Sequence, residues 1–207
     1  MLARYVKTSC EKILLPVSKR IPDILTPNLI TAIGFLISLT AGVFFGLGKI
    51  RLAGFLLLVA GFFDLLDGAY SRLSGLSTKF GAVRDSILDR YSDLCIMGGI
   101  IFYFAESYQL IYVFLSTITL VGFIMISYTK ARAENIIRSC NVGLMERPER
   151  ILVLSAGSLI NRLKPTVWIL AVLCNQTAIQ RIWFTYKEIG SERTREVKEH
   201  EQRRERI

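Results

Sequence analysis

Six apolar runs dominate this chain: 29–47, 52–63, 94–105, 110–128, 151–160 and 167–174. A bilayer hydrocarbon core is about 30 Å thick, so a spanning helix needs roughly 20 largely apolar residues. Runs 29–47 and 110–128 meet that length alone. Runs 52–63 and 94–105 stop short, each beside an acidic segment, and they span only if helix continues into it. The run 151–160 predicts a short or tilted helix. The expectation is an all-α integral membrane protein with six transmembrane helices over about 27–185. These belong to one membrane domain, 1–189, followed by a charged cytosolic tail, 190–207.

Charge gives the orientation. Arg4, Lys7, Lys12, Lys19 and Arg20 precede the first run; Arg181, Lys187, Arg193, Arg195, Lys198, Arg203, Arg204 and Arg206 follow the last. Basic residues collect in cytosolic segments, and an even helix count puts both termini on that side. The connection near Glu106 has no Lys or Arg, as an outer loop should. The net charge of +9 flanks membrane spans and suits an anionic inner leaflet, which excludes nucleic acid as the partner. Cys10, Cys95, Cys140 and Cys174 show no paired spacing, so neither a disulfide frame nor a zinc site is indicated.

Residues 2–20 carry Tyr5, Val6, Cys10, Ile13 and Val17 at helical spacing against Arg4, Lys7 and Lys12. That pattern predicts an interfacial amphipathic helix on the membrane lipids, with a plain basic topology signal as the alternative. Pro16 breaks the apolar stretch, and no cleavable signal peptide is expected. Pro27 suits the first turn of the first span. The tail alternates Glu with Arg or Lys and predicts a solvated or frayed helix.

Of six Asp residues in the chain, five stand at 64, 67, 85, 89 and 93. Asp64 and Asp67 share a helix face, as do Asp85, Asp89 and Asp93. Twelve apolar residues lead into Asp64 and twelve follow Asp93. At 1.5 Å per residue each run covers roughly 18 Å, which puts the carboxylates of both helices at matching depth inside the bilayer. One Asp there costs about 2.5 to 3.5 kcal/mol on insertion scales, so several need an offset. Arg72, Arg84 and Arg90 are near enough in sequence to pair with some. Clustered carboxylates facing each other point to a bound cation, and oxygen-only ligands favour Mg²⁺ or Mn²⁺. The plainer alternative is a structural ion-pair network. Gly68 and Gly81, at fixed offsets from Asp67 and Asp85, would let a ligand approach the backbone closely.

The run Asp64-Leu65-Leu66-Asp67-Gly68-Ala69-Tyr70-Ser71-Arg72, then eight residues, then Gly81-Ala82-Val83-Arg84-Asp85-Ser86-Ile87-Leu88-Asp89, resembles the signature of CDP-alcohol phosphotransferases. Seven of eight fixed positions agree; Ser71 stands where the family usually has Ala. A second stretch, Ser127-Tyr128-Thr129-Lys130-Ala131-Arg132-Ala133-Glu134 with Glu146-Arg147-Pro148-Glu149-Arg150, looks like the phosphatidylinositol phosphate synthases and their archaeal ether-lipid counterparts.

The resemblance implies a CDP-linked lipid as donor, a polar alcohol as acceptor, inositol phosphate in the subgroup, and CMP as leaving group. It implies that Asp64, Asp67, Asp85 and Asp89 hold Mg²⁺, or Mn²⁺, with Asp89 also the general base. Gly68, Arg72, Thr78 and Gly81, together with Asn28, Leu29, Ile30 and Thr31, would contact the CDP-lipid. Ser127, Lys130, Arg132, Arg147 and Arg150 would form a cationic cluster for the acceptor phosphate, since arginine forks suit a phosphate monoester. The alternative for that cluster is a basic loop that only fixes topology. Asp93 falls outside the signature and is expected to orient a ligand or neutralise Arg90. A homodimer follows by analogy. The single histidine, His200, lies in the tail, which leaves no histidine base. Two other functions remain: a sister enzyme using glycerol 3-phosphate or serine, and a divalent-metal transporter. The transporter would want polar residues continuing to the outer face, which 52–63 and 94–105 do not supply.

Overall fold

The computed structural model describes the backbone of residues 27–73 and 78–204, and the side chains of 29–70, 78 and 80–191. The expected interfacial helix at 2–20 and the side chains of Asn28 and Arg72 lie outside the described residues. Six α-helices make up the described fold: α1 (Pro27–Gly46), α2 (Ile50–Leu73), α3 (Lys79–Glu106), α4 (Leu110–Ala133), α5 (Arg147–Leu159) and α6 (Leu163–Arg204).

Local chemistry explains their ends. α1 opens on Pro27, whose missing N–H is no loss in a first turn. It closes at Gly48 (φ 72°), where the Gly48 N–H donates to Phe45 O (3.0 Å) and the Lys49 N–H to Phe44 O (3.0 Å). That left-handed closure is cheapest for glycine. α3 is capped by Thr78, whose hydroxyl accepts the Gly81 N–H at 3.0 Å. α2 and α3 run unbroken through their acidic segments, as spanning demands of them.

Among the described residues three helices are long and apolar enough to cross a membrane: Leu29–Gly46, Ile50–Tyr70 and Leu110–Ala133. α3 has the length, 28 residues, but its stretch from Arg84 to Asp93 carries Arg84, Asp85, Asp89, Arg90 and Asp93. α5 has only 13 residues, about 20 Å of helix, the short element expected at 151–160. α6 is one helix of 42 residues that carries the last apolar run straight into the charged tail, where a solvated or frayed helix was expected.

The packed pairs are α1 with α2 and α3, α2 with α5, α5 with α6, α6 with α4, and α4 with α3. They form a closed circuit. Its outer surface is apolar and exposed, with Leu36, Val43, Phe55, Phe102, Phe114, Val172 and Ile179 among the residues there. An apolar face of that extent marks contact with lipid rather than water. Small residues bring the helices together. A Cβ on Gly42 of α1 would stand 2.6 Å from the Cys95 carbonyl oxygen of α3, and one on Gly61 of α2 would stand 2.9 Å from Ile151 Cγ2 of α5. Half-buried polar side chains bond across or within helices, as Asn175 Nδ2 does to Ile118 O (3.2 Å) and Ala171 O (2.8 Å). Cys95, Cys140 and Cys174 are free thiols.

Candidate active site

The acidic residues converge inside the circuit. Asp64 and Asp67 come from α2, and Asp85, Asp89 and Asp93 from α3. One carboxylate oxygen each from Asp64, Asp67 and Asp85 lies within 4.8 Å of the other two. Asp67 Oδ2 and Asp85 Oδ1 are buried and accept no hydrogen bond. A buried, unsatisfied acceptor costs roughly 1 to 3 kcal/mol, more when charged, so a native site tolerates two only if something else satisfies them. Three hard oxygen donors converging with two of them orphaned fit a divalent cation.

Asp89 stands outside this trio. Its Oδ1 lies 2.7 Å from Arg147 Nη1, and its Oδ2 lies 3.6 Å from Arg90 Nη1. The same Arg147 Nη1 also contacts Asp64 Oδ1, so the first residue of α5 joins a carboxylate of α2 to one of α3. Beside them is a cavity of about 20 Å³, lined by Thr31 and Ser38 of α1 with Asp64, Asp67, Asp89 and Arg147. A space of that size holds about one water.

One turn deeper, Asp93 meets Arg150 at 3.3 Å. Arg150 is 2% exposed, donates from Nη1 to Phe123 O (3.1 Å), and sits 4.4 Å above the Phe123 ring. The sequence placed Arg150 on the acceptor phosphate; the structure seals it in the core, on Asp93 and α4. Asp93, expected to orient a ligand or neutralise Arg90, pairs directly with Arg150 and also acts on Arg90 through space.

The rest of the expected cationic cluster divides. Lys130 reaches Glu146 Oε1 at 3.8 Å, Arg132 is exposed at the end of α4, and Ser127 donates back to Phe123 O within α4 at 3.5 Å. Arg147 turns to the carboxylates. Of the expected donor contacts, Thr31 lines the cavity, Ile30 packs on Leu66 and Ala69, and Leu29 is half exposed. Gly68 is half-buried on α2, and Thr78 with Gly81 forms the α3 cap. A second cavity, about 460 Å³ and apolar, opens between α2 and α5 with Asp64 at its edge and Leu58, Phe62, Leu65, Ile151 and Leu152 in its walls.

Arg181 was read only as a topology charge. It is 2% exposed and well bonded: Nε to Val142 O (2.9 Å), Nη1 to Ile126 O (2.7 Å) and Nη2 to Glu146 Oε1 (3.5 Å). Its signal was present in the buried stripe Cys174, Thr177, Ala178, Arg181 along α6.

Comparison with known proteins decides the family. A sequence profile for CDP-alcohol phosphatidyltransferase matches residues 24–185. The chain belongs to the CDP-alcohol phosphatidyltransferase family. It is a transferase of phospholipid synthesis and a membrane protein. An archaetidylinositol phosphate synthase of Pyrococcus horikoshii is 39% identical over 166 residues, 80% of this chain and 86% of that one. A phosphatidylinositol phosphate synthase of Mycobacterium marinum is 34% identical over 178 residues, 81% of this chain and 76% of that one. Among solved structures, the phosphatidylinositol phosphate synthase of Mycobacterium tuberculosis with CDP-DAG bound matches with a TM-score of 0.73 and 31% identity. It covers 88% of this chain and 94% of that one. The same enzyme with manganese and citrate matches at 0.71 and 32% identity, over 87% and 88%.

Proposed function

We propose that this transferase moves the phosphatidyl-type group of a CDP-linked lipid, ester or ether, onto a hydroxyl of inositol phosphate and releases CMP. The observation that carries the reading is the converging trio Asp64, Asp67 and Asp85, with two buried oxygens left without a donor. The relatives named for inositol phosphate products favour this acceptor over glycerol 3-phosphate or serine.

The three carboxylates would hold Mg²⁺ or Mn²⁺, with Asp89 close by. Bound there, the ion would neutralise charge on the transferring phosphoryl group and on departing CMP. Everything else falls to the chain's own side chains. The acceptor hydroxyl oxygen attacks the lipid-side phosphorus, the bond from that phosphorus to the CMP oxygen breaks, and Asp89 takes the hydroxyl proton. Arg147 holds Asp89 in place with its 2.7 Å contact. Asn28 to Thr31, Gly68, Arg72, Thr78 and Gly81 would line the donor. The apolar cavity between α2 and α5 suits a lipid chain whose phosphate end lies at Asp64. Ser127, Lys130 and Arg132 remain for the acceptor phosphate, with Arg147 within reach of both substrates.

Six helices would cross the cell membrane, α5 short, with the site and both termini cytosolic. The protein would act as a homodimer. The test is CMP release from radiolabelled CDP-lipid with inositol phosphate, free inositol, glycerol 3-phosphate and serine, each with and without Mg²⁺. Release with inositol phosphate and Mg²⁺ together is expected, and it should vanish in a folded Asp67→Asn variant. Preference for glycerol 3-phosphate or serine overturns the acceptor; turnover in that variant overturns the site.

A further inference from the structure

We infer that Arg147 is an exchangeable internal counter-cation: it holds Asp64 and Asp89 while the acidic site lacks a divalent ion, and gives up Asp64 when one binds. The inference rests on the metal-site reading above and concerns what the chain does around that event. Its root is a conflict over a single side chain. Asp64 belongs to the converging trio, yet its Oδ1 is also in contact with Arg147 Nη1. A carboxylate serving a small hard cation at close range and a guanidinium in direct contact is claimed twice by positive charge, and like charges that close repel.

The bonding of Arg147 is that of a group able to leave. A guanidinium offers five N–H donors in a rigid fork. Arg181, the fixed arginine of this fold, places its Nε, Nη1 and Nη2 on three acceptors. Arg147 is half-buried, its Nε has no acceptor, and its Nη1 is shared between the Asp64 and Asp89 carboxylates without an aligned hydrogen bond to either. It neutralises one member of the trio and leaves Asp67 Oδ2 and Asp85 Oδ1 unserved. Its position permits motion without unfolding. Arg147 is the first residue of α5, preceded by Glu146 in extended backbone (φ −73°, ψ 175°). Arg150, one turn on, is tied to Asp93 and Phe123 and keeps the helix seated. The side chain can swing while its helix stays.

The test uses the full chain, purified in detergent and stripped with EDTA, with Mn²⁺ affinity read by paramagnetic resonance of the free ion. Melting temperature is read before metal is added. In Arg147→Gln the site is competent in every molecule, so Mn²⁺ should bind about tenfold tighter or more, because affinity scales with the competent fraction. The metal-free melting temperature should fall. Arg90→Gln is the charge control: it removes an equal charge beside Asp89 without contacting Asp64. It should tighten Mn²⁺ by less than about threefold, since a partly exposed charge is screened. If Arg147→Gln binds no tighter than wild type, or Arg90→Gln tightens as much, the inference is overturned while the metal site stands. If no form binds Mn²⁺, the site reading itself falls and takes the inference with it. Should the Gln variant not fold, Arg147→Lys carries the test: it keeps the charge but puts it on a flexible stem as a strongly hydrated ammonium, which holds the two carboxylates less firmly than the planar guanidinium. Tighter binding than wild type supports exchange; equal or weaker binding overturns it.

Discussion

Breaking the Asp93–Arg150 pair separates a core role for Arg150 from a substrate role. Arg150 has three partners: Asp93 at 3.3 Å, Phe123 O at 3.1 Å and the Phe123 ring at 4.4 Å. Asp93→Asn removes the counter-charge and leaves the other two, so the loss should sit near the low end of the roughly 3 to 5 kcal/mol found when one partner of a buried pair is removed. Arg150→Met removes all three and strands a buried carboxylate, so it should reach the upper end. At about 2 to 4 °C per kcal/mol for a chain of this size, Asp93→Asn should lower the melting temperature by roughly 6 to 12 °C and Arg150→Met by roughly 10 to 20 °C. The double variant Asp93→Leu with Arg150→Met should recover most of the loss, because replacing a whole buried pair by apolar groups is often close to neutral.

The assay is fluorescence-detected thermal unfolding in detergent, with acceptor and donor KM measured on the same preparations. Folded protein should keep near-normal KM for both substrates. An Arg150→Met variant that melts like wild type but shows a raised acceptor KM refutes this account and returns Arg150 to the acceptor phosphate.

Asp89→Asn should retain CDP-lipid binding, measured by equilibrium dialysis, yet lose turnover by at least the roughly 10² to 10⁴ typical of a general base; donor affinity collapsing as it does in Asp67→Asn would make Asp89 chiefly a metal ligand. Gly42→Ala should lower the melting temperature sharply, because its Cβ would stand 2.6 Å from a carbonyl oxygen of α3 and helix backbone cannot yield as a side chain can. Gly98→Ala, with nothing within 4 Å of the added carbon, should leave it unchanged or slightly raised. Equal effects at the two positions would mean that the α1–α3 crossing is looser than the structure has it.

Elements governed by backbone chemistry and bilayer thickness were legible in advance. Pro27 opens α1, and the short apolar run at 151–160 becomes a 13-residue helix. The trio was legible because several Asp in an apolar setting demand a common solution. The arginines were not. Arg147 and Arg150 stand three apart in one basic stretch and share a helix face, so sequence alone treats them as one cluster. What separates them is depth. On α3, Asp89 and Asp93 stand four apart, so the two helices present matching rungs: Arg147 to Asp89, Arg150 to Asp93. α3 and α5 are not packed neighbours in the circuit, and these two arginines reach across between them. Arg181 escaped notice for a related reason: a basic residue near the end of a span is expected on topological grounds, and that expectation hides a structural duty.

The shortness of α5 follows from the same geometry. At about 1.5 Å per residue, Asp64 stands roughly 21 Å along α2 from Ile50, and Asp89 stands roughly 26 Å along α3 from Glu106. Ile50 and Glu106 sit at the turns joining α1 to α2 and α3 to α4, on the side opposite the acidic cluster. The α5–α6 turn, with Asn161 at φ 58° and the Arg162 N–H on Gly157 O at 2.7 Å, closes the far end of α5 on that same side. A helix of 13 residues reaching back from it covers about 20 Å, which sets Arg147 at the level of Asp64. A full-length span would carry that residue roughly 10 Å further, out of the apolar core and away from both carboxylates. The run that least resembles a transmembrane helix is therefore short for a chemical reason: its length sets the depth of Arg147, which joins α2 to α3.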